Sequence, residues 1–271
     1  VTPFSMGPAL LFCPGDRPDR YLKAADRADA VIIDLEDAVA PNRKQAARDA
    51  MLSNPLDPET TIVRVNSWGS PFFADDIVAL AHTGYRTVMV AKTESRLEVS
   101  GLDRYSLVAL IETAAGVVRA AEIAAEAHVV ALMWGAEDLV ASLGGTSSRF
   151  ADGSYRAVAQ HARSGVLLAA GAHGKAAIDA VHLDIADAAG LYAEAVDAAA
   201  TGFTATACIH PSQVDSIRSA YAPGEEEIAW ARRVVAAAEG DRGVFQLDRR
   251  MVDAPVVRHA ERVLRASEGR H

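Results

Sequence analysis

Cysteine is scarce in this chain of 271 residues: Cys13 and Cys208 are the two it has. Two are too few for a disulfide scaffold, and both fall in apolar, strand-like runs where a reduced thiol behaves as a small hydrophobe. No uninterrupted apolar run is long enough to span a bilayer, and no basic stretch leading into an apolar one opens the sequence. These absences lead us to expect a soluble protein of a reducing cytoplasm, with no membrane partner. Positive charge is also short. Lysine and arginine number 27 against 36 acids, a net charge of −9, which opposes non-specific attachment to nucleic acid or anionic lipid. A polyanionic ligand would need a local basic patch. Several reaction motifs are missing: there is no H-E-x-x-H, no P-loop and no G-x-S-x-G turn. The first strand-to-helix turn, residues 13–17, lacks the G-x-G-x-x-G spacing of a dinucleotide site. No internal repeat occurs, and no low-complexity tract beyond the alanine-rich helices.

Hydrophobic residues make up 50% of the chain and charged residues 23%, which is enough apolar material for a sizeable core. Short apolar runs at residues 9–13, 30–35, 61–66, 87–91, 107–111, 129–134, 176–183 and 205–209 read as eight strands. Helical spacing follows nearly all of them, at 18–27, 42–52, 72–82, 115–127, 155–170, 186–200 and 211–221. Regular alternation of this kind implies parallel strands joined by crossover helices, and eight such units close into a (β/α)8 barrel, which commonly fills ~250 residues. An open doubly wound sheet is the competing arrangement. Beyond the eighth unit the chain carries two more helices, at 225–239 and within 251–266. We therefore expect a barrel over 1–222 and a C-terminal helical extension over 223–271.

The segment from Ser106 to Val140 is the centre of the chemistry. Two strands of a β-α-β unit run into acids, Glu112 after the first and Asp138 after the second. The strands are parallel, so both carboxylates arrive at one edge of the sheet. Paired carboxylate oxygens suit a hard cation such as Mg2+. The plainer alternative is that strands finish in acids because they finish at the surface. Other strand ends hold Glu36 and Asp37, Arg64, Lys92, and His210, a pocket of acids with one or two cations. Arg64 could hold a carboxylate or a developing enolate with its planar fork, or it could pair with Asp34 or Glu36. Arg17, Arg20, Lys23, Lys44 and Arg48 could receive phosphates of an extended ligand, or simply be solvated helix faces. Trp68 and Trp134 could wall the pocket or serve in packing.

Taken together, LFCPGDRPDRYLKAA, DAVIIDLEDAV with Pro41, Lys44 and Arg48, IVRVNSWGS, VALIETAAGV, MWGAEDL and CIHPSQV resemble the citrate lyase β-subunit family, the CitE-like branch of the HpcH/HpaI aldolases. The resemblance runs from about residue 10 into the C-terminal tail. It implies a TIM barrel of the phosphoenolpyruvate/pyruvate type, a homotrimer, Mg2+ as cofactor, and CoA thioesters and α-keto acids as ligands. Carried over by position, Glu112 and Asp138 match the metal ligands. Arg64 matches the substrate-binding arginine, with Glu112 also facing the substrate. Glu36 and Asp37 match an acidic pair that holds water near the metal. The tail QLDRRMVDAPVV is similar to that of stand-alone malyl- and citramalyl-CoA lyases, in which an aspartate reaches a neighbouring subunit's active site; Asp253 is the matching residue. Read by itself, Asp253 is a helix N-cap ahead of Pro255. The activity implied is a carbon–carbon lyase acting on a 3-hydroxy-3-carboxy acyl-CoA. A malyl-CoA-type thioesterase and a citrate lyase subunit active only in a complex are the alternatives.

Overall fold

Alternating β-strand and helix segments leave the chain one compact solution, since each helix must return the chain over the outer face of the sheet before the next parallel strand can begin. The computed structural model describes residues 4–240 and 243–268, with Gly240 and Glu268 as backbone. In it β1 (Ala9–Pro14), β2 (Ala30–Asp34), β3 (Thr61–Val65), β4 (Thr87–Val90), β5 (Ser106–Ile111), β6 (Val129–Trp134), β7 (Ala176–Asp179) and β8 (Ala205–Cys208) pair in chain order. The ring closes where β8 meets β1, with Leu10 opposite Ala207. The expected (β/α)8 barrel is the observed fold, and the open sheet is excluded.

Side chains alternate across a strand with a period of two, so every second residue enters the barrel. Leu10, Ile32, Ile62, Met89, Val108 and Leu110 belong to one buried cluster that fills the interior. The intervening residues, such as Leu11, Ile33, Val63 and Val88, are buried as well, which is why these strands read as continuous apolar runs. The same period fixes what comes next. Two positions beyond Leu10, Ile32, Ile62 and Leu110 stand Phe12, Asp34, Arg64 and Glu112. The inward layer at the strands' C-terminal ends is therefore the first in which charge replaces hydrocarbon.

The seventh strand is shorter than its sequence suggests, ending at Asp179 and not at Leu183. Asp179 takes bonds from Trp134 Nε1 (2.5 Å) and Arg163 Nη2 (2.8 Å), and the chain from Ala180 onward leaves the ladder to become a loop.

The chain divides into two compact units, residues 1–218 and 219–271. In the second, α10 (Glu225–Gly240) and α11 (Ala254–Glu268) pack around Ala231, Val234, Ala260 and Val263. Between them lies a hairpin that is not among the elements expected from the sequence. Its strands are β9 (Phe245–Leu247) and β10 (Arg250–Val252). Asp248 and Arg249 both take positive φ, 49° and 63°, the backbone of a tight two-residue hairpin turn. Without the Asn-Gly or Asp-Gly pair that signals such turns, the charged run 248–250 conceals it.

Candidate active site

The charged layer opens into a cavity of about 250 Å³ lined by Phe12, Asp34, Arg64, Glu112, Trp134 and Asp138, among others. Asp37 and Glu137 reach its edge, and Val181 and Leu183, from the loop that succeeds β7, close another side. The site thus stands where an α/β barrel keeps its reactive groups, at the C-terminal ends of the strands.

Arg64 sits at the base of this layer, 9% exposed. Asp34 on the neighbouring strand grips it in bidentate fashion, Nε to Oδ1 at 2.7 Å and Nη2 to Oδ2 at 2.6 Å. Its Nη1 lies 3.3 Å from Glu36 Oε2, and its guanidinium packs over the Phe12 ring, 4.8 Å from the centroid. Burial works against its charge, but the Asp34 carboxylate outweighs that and holds the guanidinium protonated. Of the two readings of Arg64, the ion pair with both Asp34 and Glu36 is what the geometry contains, and the paired group still faces the cavity.

Glu36 and Asp37 are brought together by Lys92. The ammonium bonds Glu36 Oε1, lies 3.1 Å from Asp37 Oδ2, and stands 3.4 Å from Asp138 Oδ1. Burial raises the Glu36 pKa despite these cations. For Asp37 burial acts in the same direction, but the Lys92 hydrogen bond and charge prevail and hold its carboxyl below the ordinary range.

Glu112 is 3% exposed. One oxygen accepts the Lys92 backbone N–H at 3.0 Å. The other lies against Gly135, where an added Cβ would stand 2.8 Å from it, so only glycine lets β6 pass this carboxylate so closely. Burial, and then the negative charge of Asp138, push Glu112 up to about 8. The charges of Arg64 and Lys92 act in the opposite direction and are outweighed. Asp138, in the first turn of α6 (Ala136–Ser142), is 38% exposed at its side chain and lines the same cavity. Among the described residues no set of three histidine, cysteine or acidic side chains forms a ready metal cage. Two carboxylates beside an open cavity are instead the donor set of a hard cation that keeps water and substrate in its other positions.

The remaining sequence candidates divide. Trp134 is fully buried and lines the cavity; Trp68 is 48% exposed and packs on Phe73, so it does not wall the site. Lys44 and Arg48 are not phosphate receivers. Lys44 Nζ is buried on Leu35 O, Glu36 O and Asn66 Oδ1, and Arg48 is buried against Asp76 at 2.9 Å. They form the scaffold under the Glu36 loop. Arg17 is paired with Asp19 at the surface. His210 caps the helical turn Pro211–Gln213, its Nδ1 accepting the Ser212 N–H, a structural task. Asp253 belongs to the second unit, where its Oδ1 accepts the Val256 N–H and caps α11. Sequence reasoning weighed Asp34 only as a pairing option and Lys92 only as a strand end. The period-two count from Ile32 picks out the first; nothing local to the sequence shows the reach of the second.

A closed parallel barrel with a charged cavity at its strand C-termini defines an α/β-barrel enzyme. The chain belongs to the HpcH/HpaI aldolase/citrate lyase family, whose model matches residues 9–211, and it is accordingly a lyase. It is 58% identical over 259 residues to a citrate lyase subunit beta-like protein of Mycobacterium tuberculosis, covering 96% of this chain and 95% of that one. It is 30% identical over 287 residues to the mitochondrial citramalyl-CoA lyase of Homo sapiens, covering 93% and 83%. Among solved structures, CitE of M. tuberculosis in complex with magnesium, acetoacetate and coenzyme A superposes with a TM-score of 0.93 at 56% identity, covering 97% of this chain and 99% of that chain. Among the described residues no helix is long and apolar enough to cross a membrane.

Proposed function

We propose that the chain is a Mg2+-dependent carbon–carbon lyase that cleaves, or in reverse forms, a 3-hydroxy-3-carboxy acyl-CoA such as malyl-CoA or citramalyl-CoA, yielding an α-keto acid and an acyl-CoA. The observation that carries this reading is the pair Glu112 and Asp138 sharing one cavity with Arg64. The relative crystallised with magnesium, acetoacetate and coenzyme A supports the metal, a keto acid and coenzyme A as ligand classes.

Glu112 and Asp138 would hold the ion, and Mg2+, when bound, supplies a Lewis acid that stabilises charge on the keto acid's oxygens. The chain's own residues do the rest. Arg64, fixed in orientation by Asp34, presents a planar cation to the substrate carboxylate and to the oxygen on which charge develops. Glu36 and Asp37 order solvent at the cavity edge, and this acidic pair takes up the hydroxyl proton. As that proton leaves, the bond between the hydroxyl carbon and its neighbour breaks, and its electron pair passes to the acyl-CoA as an enolate. Asp253 of a neighbouring copy, by the likeness of the tail, delivers the proton that quenches the enolate carbon.

Purified protein with Mg2+ is to be incubated with malyl-, citramalyl-, β-methylmalyl- and 3-hydroxy-3-methylglutaryl-CoA and the products identified by mass spectrometry. The reading requires a keto acid and a shorter acyl-CoA from at least one of them. Free CoA with an intact hydroxy-diacid would identify a thioesterase instead. No turnover of any thioester by the isolated chain would fit a subunit that needs partners.

A further inference from the structure

Lys92 touches four acids of the proposed site, Glu36, Asp37, Glu112 and Asp138. Its ammonium contacts Glu36, Asp37 and Asp138, which come from two different strand-end loops. Its backbone N–H bonds Glu112. Lys92 makes both contacts from an unusual backbone: its φ is 50°, in the left-handed region that is unfavourable for a side-chain-bearing residue and persists where surrounding contacts impose it. Arg64 is held by Asp34 and reaches Glu36, while Lys92 is the cation whose ammonium meets Glu36, Asp37 and Asp138 together.

We propose that Lys92 is a positioning residue that acts as a built-in counter-ion to the metal: it holds the acids in place before Mg2+ arrives, and by its charge it keeps Mg2+ affinity low enough for the ion to exchange. The inference rests on Glu112 and Asp138 being the metal ligands. An ammonium within 3.4 Å of Asp138 stands a few ångströms from any cation which that carboxylate holds, and at such separations in a partly buried site like-charge repulsion is strong enough to weaken binding about tenfold. Removing the lysine therefore has two opposed consequences. The acids lose their tether, which slows turnover by disordering Glu36 and Asp37. The metal loses its competitor, so it binds more tightly.

The test is Mg2+ titration by calorimetry on the full chain, with Mn2+ electron paramagnetic resonance as a second readout, for wild type, Lys92→Met and Lys92→Arg. Lys92→Met is expected to bind Mg2+ about tenfold more tightly while kcat falls; Lys92→Arg, which keeps the charge, is expected to stay near wild-type affinity. A purely structural lysine would give weaker or unchanged binding on substitution, and that result in a folded Lys92→Met overturns the proposal. Lys92→Gln, which retains an N–H donor for Glu36, covers the case in which Lys92→Met does not fold, with the same tighter binding expected. Glu112→Gln run in parallel separates the two ideas. If it leaves Mg2+ binding intact, the ligand assignment fails; if it abolishes binding and Lys92→Met does not tighten it, the counter-ion fails alone.

Discussion

Arg64 and Asp34 show how one strand register makes a site. Asp34 ends β2 and Arg64 lies on β3 directly opposite it, so their side chains share the inward face and meet in two parallel hydrogen bonds. A buried pair of this geometry is costly to break, because the surviving charge has no comparable partner. Asp34→Asn keeps the shape and one acceptor but removes the charge that orients the guanidinium. Stability is expected to fall by ~3 kcal/mol in urea titration, and kcat/KM by about 10²-fold at saturating Mg2+ through misplacement of Arg64. An unchanged kcat/KM would show that Arg64 holds its pose without Asp34. Asp253 illustrates the opposite situation: its helix-capping bond is plain in the second unit, and the catalytic part proposed for it rests on the likeness of the tail.

At the scale of elements, the strands that line the barrel also decide the fate of its thiols. Cys13 on β1 and Cys208 on β8 are both buried, and burial pushes them up to about 11 and about 12. The thiolate is the reactive species, so the native protein is expected to resist alkylation by iodoacetamide at about pH 8 and to take two labels in denaturant, as counted by mass spectrometry. Labelling of either cysteine in the native state would mean that the β1–β8 seam opens. The order of elements was readable in advance because parallel strands buried on both faces are short, apolar and punctuated by turn residues. The misread stretches have physical causes. Residues 180–183 continue the apolar run of β7, yet the strand ends at Asp179, whose side chain is held by Trp134 and Arg163, a contact between distant elements. The hairpin at 245–252 is short and charged, and its turn is made by Asp248 and Arg249, residues with no strong preference for positive φ.

For the molecule as a whole, the two acids of the central β-α-β unit could be placed on one edge from sequence because handedness and parallel pairing leave no alternative. What surrounds them could not. Lys92, just beyond β4, reaches Glu36, just beyond β2, across 56 positions of sequence, a contact that the assembled sheet and not the local sequence reveals. The extension over 223–271, proposed as the cap of an active site in a trimer, is the part whose purpose depends most on assembly. The account's central claim is that Glu112 and Asp138 together hold one Mg2+, and a Mg2+ titration of wild type, Glu112→Gln and Asp138→Asn tests it most directly. One site is expected in wild type and its loss in each variant, with circular dichroism unchanged. Wild-type affinity in either folded variant would contradict the claim.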